Sequence, residues 1–159
     1  YAMMGQQPEE EDFIEVAEDD CTSLDDDTMA ASIANRVEKH TRITAEVGVK
    51  NPDVTSDTYK TVIEIHRYLQ DRGVRAVFFT PPYFKGYTEH YQATDPETIA
   101  LMRQAMVALQ REYGIEYYDF STDEDFVFDK TLFRDSDHLN GCGAKLFSEK
   151  FRQILMNGW

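Results

Sequence analysis

Two short apolar runs on either side of one amphipathic helix are the feature that most restricts the fold of this chain. Val74–Thr80 ends at Pro81-Pro82, and Ile115–Phe120 follows the glycine that ends the intervening helix. Apolar runs of this length, bounded by turn residues, predict buried strands. Because strands joined through a helix pair in parallel by a right-handed crossover, the sequence predicts an α/β protein.

Four segments have the apolar periodicity of amphipathic helices. Their predicted starts are near Asp27, at Thr55 to Asp57, at the cap Asp95 followed by Pro96, and near Gly143. On the first helix the pattern places Arg36 outside and His40 on the inner face. The two segments that follow the strands, Pro81–Thr94 and Ser121–Asn140, are predicted to be loops at the carboxyl ends of the strands, where ligand sites of parallel sheets lie.

Acidic residues are concentrated at the start of the chain. Of the 159 residues, the first 35 contain eleven Asp or Glu and no Lys or Arg, which leaves 19 acidic and 16 basic groups in the remainder. Like charges at this density repel one another and extend the backbone. Residues 1–27 are therefore predicted to form a solvated acidic loop, and residues 28–159 to belong to one α/β domain.

Composition excludes several classes of function. The net charge of −14 argues against nucleic acids and anionic membrane surfaces as partners. The sequence contains no apolar run that approaches the roughly 20 residues of a membrane span, and its N-terminus lacks a signal-peptide pattern. Two cysteines, Cys21 and Cys142, are too few for a recognisable disulfide framework, so they say little about the redox compartment.

A histidine and an aspartate three residues apart precede the last helix. Asp135 and His138 stand in the run Asp135-Ser136-Asp137-His138-Leu139-Asn140, followed by Gly143-Ala144. A carboxylate bonded to one imidazole nitrogen fixes the tautomer and leaves the other nitrogen free to accept a proton from a nucleophile. This spacing also occurs in helix caps and surface pairs.

The wider pattern resembles the C-terminal block of the SGNH, or GDSL-type, hydrolases. Asp135 to Ala144 resembles the family's Asp-x-x-His-Leu-Asn block and the Gly-Ala that begins its last helix. Val77–Tyr83 resembles the strand and Pro-Pro loop of the branch that includes D-alanine-transfer and alginate-acetylation-like proteins. Ile115–Ser121 occupies the position of that branch's last strand, and the resemblance covers about residues 51–159.

The resemblance implies a three-layer α/β/α, flavodoxin-like parallel sheet. It implies hydrolysis or transfer of acyl groups on small esters or acylated glycans and lipids, without a metal or organic cofactor. His138 would be the general base and Asp135 its orienting acid. Relatives of this branch act in the bacterial cell envelope, which suggests an extracytoplasmic location and leaves the oligomeric state open.

The family's nucleophile is missing from the pattern. No Gly-Asp-Ser-type turn follows an apolar strand, and the chain does not begin with Met. We therefore expect the C-terminal part of an SGNH-type ester hydrolase or acyl transferase, inactive by itself because a triad without its serine loses most of its power. The alternative is a non-catalytic carbohydrate- or protein-binding domain with the same fold.

Other candidate sites are weaker. Tyr83, Tyr87 and Tyr91 form an aromatic cluster that either packs or lines a substrate cleft, and Asn140 joins them as a predicted substrate-binding residue. The four histidines lack the spacing of a zinc site, and the acidic run from Asp123 does not fit a calcium loop, so no metal site is predicted.

Overall fold

The computed structural model describes residues 20–46 and 57–157. Five α-helices, two strands and one 3-10 turn make up this part of the chain. In order they are α1 (Asp26–Glu46), α2 (Asp57–Gln70), β1 (Val77–Thr80), α3 (Lys85–Thr94), α4 (Pro96–Tyr113), β2 (Glu116–Asp119), the 3-10 turn Lys130–Leu132, and α5 (Gly141–Asn157). No helix in these two ranges combines the length and the apolar character that crossing a membrane requires.

The predicted flavodoxin-like three-layer fold is wrong. In the described residues the sheet has only two strands, paired in parallel with Phe78 opposite Tyr117 and Phe79 opposite Tyr118, and the protein is mostly helical. The parallel pairing itself is as the sequence predicted. The prediction failed because a doubly wound sheet needs several strands, whereas most of the apolar surface here belongs to helices.

Alternating side chains of the two strands point to opposite sides of the sheet, toward two different cores. Phe79 packs against α5, with its ring centroid 4.7 Å from that of Phe151, and Phe120 joins the same cluster. Phe78 and Tyr117 face the other way and pack with α2 and α4 around Leu109, which is fully buried. This alternation follows from the period of two along a strand.

Local signals placed most helix boundaries correctly. Asp95 caps α4 by accepting a hydrogen bond from the backbone N–H of Thr98, and Pro96 occupies the first turn. Gly114 ends that helix in the left-handed region at φ 68°, which glycine adopts without steric cost. The predicted acidic loop lies outside the described residues up to position 19; residues 20–25 are non-helical, and α1 begins at Asp26.

The predicted loop over Pro81–Thr94 is wrong in its second half. Lys85–Thr94 forms α3, which buries Tyr87 and Tyr91. This helix lies mainly against α1, where Tyr87 and Tyr91 share a cluster with Val37. The segment resembles a loop in sequence because its polar residues and Gly86 mask a short apolar face, which is buried mainly by α1.

A disulfide joins the two cysteines. Cys21, just before α1, is bonded to Cys142 in the first turn of α5, with a Cα–Cα distance of 5.0 Å and 121 residues of sequence between them. The backbone N–H of Gly141 donates to the carbonyl of Asp20 at 2.7 Å beside it. The disulfide therefore ties the beginning of the described chain to the start of α5, directly after the loop that carries Asp135 and His138.

Candidate functional site

The segment Asp135–His138 folds into a tight turn that brings its own side chains together. Asp135 Oδ1 accepts the backbone N–H groups of Asp137 at 3.2 Å and of His138 at 3.0 Å. The backbone N–H of Arg134 donates to the carbonyl of His138, and Phe133 pairs with Leu139 across the turn. With Phe133 fully buried, the two ends of the turn are anchored to the core.

His138 and Asp135 form a hydrogen-bonded pair. The distance from His138 Nδ1 to Asp135 Oδ1 is 2.8 Å, against 3.5 Å to Asp137 Oδ1. The His138 side chain is 46% exposed, whereas that of Asp135 is 16% exposed. Among the residues that the structure describes, none accepts from or donates to Nε2 of His138. The turn thus holds one nitrogen and leaves the other accessible.

The charge state of Asp135 determines the tautomer of His138. Burial by itself would raise the pKa of Asp135, but hydrogen bonds from His138 and from the backbone of Asp137, together with the charges of His138 and Arg36, hold it well below its usual range. An ionised carboxylate can only accept hydrogen bonds, so Nδ1 carries the proton. Nε2 of the neutral ring then has a free lone pair, as a general base requires.

Arg36 connects two carboxylates. Its Nη2 lies 3.4 Å from Asp135 Oδ2, and its Nε lies 3.3 Å from Asp137 Oδ1. The prediction that Arg36 faces outward is therefore wrong. It lies one turn after Ser32, whose hydroxyl is 3.2 Å from that of the buried Ser136, so the same stripe of α1 contacts the turn twice.

Asp137 is a buried carboxylate between two histidines. Burial raises its pKa and outweighs the attraction of His138 and Arg36, and ionised Asp135 adds to the increase. His40 Nε2 lies 3.8 Å from Asp137 Oδ2, and His40 Nδ1 is 2.7 Å from the hydroxyl of Tyr87. Burial lowers the pKa of His40 despite the nearby Asp137, which favours the neutral ring.

Asp135, Asp137 and His138 also bring three possible metal-ligand atoms within 4.8 Å of one another. Carboxylate and imidazole groups suit several divalent ions. The Arg36 guanidinium, however, already contacts both carboxylates, and a cation there would compete with it. The arrangement fits an ion-paired cluster better than a metal centre.

The three predicted tyrosines line a cavity of about 430 Å³. It lies between α1, α2, α3 and α4, at the carboxyl end of the strands, and His40 forms part of its wall. Its lining is mostly aliphatic and aromatic, with Arg103 and Asp119 as the charged members. Tyr83, Tyr87 and Tyr91 are thus brought together, and their role in substrate binding stays a prediction.

Asn140 is separated from that cavity. It is 1% exposed, its Nδ2 donates to the carbonyls of Thr22 and Thr131, and its Oδ1 accepts the backbone N–H of Gly143. These contacts cap α5 and hold the loop between β2 and α5, as expected for an N-cap residue. The structure gives Asn140 a scaffolding position, and its predicted contact with substrate stays a prediction.

No serine hydroxyl within the described ranges bonds His138. Ser23 donates to the carbonyl of Lys130, and Ser136 is buried between Ser32 and Asp137. Ser56 lies outside the described residues. Cys142 cannot act as a nucleophile while it is in the disulfide.

The sequence did not identify Arg36, His40 and Asp137 as one group. The available signal was Ser32, Arg36 and His40 at intervals of four, which is a polar stripe on a helix whose neighbouring stripe is apolar.

No protein-family model, no curated protein and no solved structure matches this chain.

Proposed function

We propose that this chain carries the general-base pair of an ester hydrolase or O-acyl transferase. The observation that supports this proposal is the 2.8 Å bond from His138 Nδ1 to Asp135 Oδ1, combined with the exposure of the His138 ring. Asp135 orients the ring and stabilises the imidazolium, and His138 Nε2 removes a proton from an attacking hydroxyl or water. The resemblance to SGNH-type hydrolases points to the same chemistry.

The attacking group comes from outside the described residues or from the substrate. An acyl acceptor that brings its own hydroxyl, such as a sugar, needs only the base to be positioned. A serine supplied by another part of the gene product would form an acyl-enzyme instead. In both cases the proton moves to Nε2 and then to the leaving oxygen.

The test is p-nitrophenyl acetate hydrolysis by the natural gene product and by the 159-residue chain. General-base catalysis contributes about 10²- to 10⁴-fold, so His138→Ala in an active protein should reduce kcat by at least about 100-fold. Asp135→Asn should reduce kcat and shift its pH profile, because the ring loses its acceptor and its fixed tautomer. The matched control is His90→Ala, an exposed histidine on α3.

The proposal fails if His138→Ala and His90→Ala have the same activity as the wild type. For the 159-residue chain alone, we expect p-nitrophenyl acetate to be hydrolysed no faster than by the exposed histidine side chains of an unrelated protein. Strong activity lost on Ser23→Ala would contradict this account.

A non-catalytic binding domain is the second candidate. It is favoured by the lack of any described serine beside His138. In that case carbohydrate or protein binding would persist in His138→Ala, and no ester would be turned over by the gene product.

A further inference from the structure

The cavity between α1, α2, α3 and α4 has the size and lining of a small-molecule site. Its volume of about 430 Å³ lies within the roughly 300–1,000 Å³ of ligand pockets. Most of its wall is aliphatic or aromatic, and two of these lining residues, Ile43 and Met102, are exposed to solvent. An apolar chain placed in the cavity would remove such surface from water, which favours binding. His138 is not part of the lining.

Arg103 lies where this cavity meets a second, more open one. The second cavity, of about 580 Å³, shares Thr88, Arg103 and Ser121 with the first, and its further lining includes Lys85 and Gln92. Because Arg103 is an exposed residue of α4, its guanidinium is accessible to a ligand at this junction. The first cavity therefore has an apolar interior and a cation on the side of the more open cavity.

The guanidinium of Arg103 has no acceptor in the part of the chain that the structure describes. It forms neither a hydrogen bond nor an ion pair with residues 20–46 or 57–157, although a guanidinium carries five N–H donors. Asp119, the acidic member of the lining, already accepts the backbone N–H of Ser121 at 3.0 Å. Burial lowers the pKa of His40, so its neutral ring adds no positive charge. The charged group of the lining that lacks any acceptor is therefore a cation, and its complement is an anion.

We propose that this cavity binds an aliphatic monocarboxylate, with its chain among the apolar side chains and its carboxylate on the guanidinium of Arg103. A planar guanidinium can donate two parallel hydrogen bonds to a carboxylate, and these are stronger than bonds to a neutral oxygen. Asp119 favours one negative charge over two, because a phosphate monoester would meet stronger repulsion from it. This binding requires neither His138 nor turnover, and it therefore goes beyond the proposed hydrolase.

The test measures binding to the whole 159-residue chain by ¹³C-methyl NMR at pH 7, with octanoate as the probe. Octanoate should shift the methyl signals of Ile99, Met102 and Met106, which line the cavity. The signals of Met29 and Ile154, which lie in the other core, should stay unchanged. Hexanoate should bind about tenfold more weakly, because each buried methylene group contributes roughly a factor of three to four. Octylammonium and octyl phosphate have the same chain, and both should bind at least about threefold more weakly than octanoate.

Substitutions separate the charge from the apolar wall. Arg103→Gln should weaken octanoate binding about fivefold and change the affinity for 1-octanol, a neutral probe, by less than about twofold. The matched control is Arg111→Gln, which removes the same charge from an exposed position of the same helix and should change neither affinity. Asp119→Asn should strengthen octanoate binding about twofold, because it removes the repelling charge.

Failure of the site and failure of the hydrolase are distinguishable. His138→Ala should bind octanoate with unchanged affinity, even if it abolishes hydrolysis. The monocarboxylate site is refuted if octanoate shifts no methyl signal, or if it shifts Met29 as much as Met106. It is equally refuted if Arg103→Gln weakens octanoate no more than Arg111→Gln does, or if octylammonium binds as tightly as octanoate.

Discussion

Removing the disulfide should substantially lower the free energy of unfolding. The bond closes a loop of 121 residues between Cys21 and Cys142. In the chain-entropy model, a loop of this length corresponds to about 5 kcal/mol at 25 °C, and measured values for native disulfides fall at roughly 2–5 kcal/mol. The double variant Cys21→Ser/Cys142→Ser tests this directly.

We expect a loss of about 3 kcal/mol, below the full entropic value. Residual structure in the reduced, unfolded chain already lowers its entropy, so the measured loss usually falls below the chain-entropy value. The hydrogen bonds from Gly141 to Asp20 and from Asn140 to Thr22 should keep the two segments together in the folded double variant. For a domain of this size, about 3 kcal/mol corresponds to a decrease in Tm of roughly 6–12 °C.

The assay is urea unfolding of the wild type and the double variant, each with and without dithiothreitol. Reduced wild type should match the double variant, and reductant should leave the double variant unchanged. Equal stability of all four samples would refute the reasoning, as would two free thiols in the unreduced, denatured wild type.

Four further substitutions test individual contacts. Burial raises the pKa of Asp137 in the folded protein, so the folded state favours the protonated carboxyl. Its contribution to stability is fully present below the ordinary pKa of about 3.9 and is lost as pH rises through the raised pKa. Asp137→Asn should therefore be more stable than wild type at pH 7 by thermal unfolding, and this gain should disappear below about pH 4. Asn140→Ala should lower the free energy of unfolding, measured in urea, by about 3 kcal/mol, because it removes the cap of α5 and leaves the buried groups bonded by Asn140 without a partner. The control Asn35→Ala, at an exposed position, should change it by less than about 0.5 kcal/mol. Gly143→Ala should destabilise the protein by about 1–3 kcal/mol, although alanine has the better helix propensity. The Cβ of the alanine would lie 2.1 Å from the carbonyl oxygen of Leu132, so the backbone must shift. Gly86→Ala meets mainly side-chain atoms of Ile33 and Phe84, which can move, so calorimetry should show the smaller loss there.

Signals that act over a few residues predicted the elements well. Asp95-Pro96 and Gly114 fixed the two ends of α4, and the two apolar runs gave β1 and β2 in parallel. The Asp135–His138 contact could also be anticipated, because three residues of turn suffice to bring the groups together. In each case the determining atoms are neighbours along the chain.

The tertiary structure alone decided the rest. Whether the parallel pair extends to a larger sheet, whether Cys21 meets Cys142, and whether Arg36 faces solvent all depend on how segments about a hundred residues apart are packed. A periodic pattern shows that a helix has a buried face, but the partner of that face is set by the packing of all helices at once. The amino-acid sequence by itself therefore determined every helix and strand except α3, and the histidine–aspartate pair. Long-range packing, whose free energy no local pattern encodes, determined the surrounding cluster and the tyrosine-lined cavity.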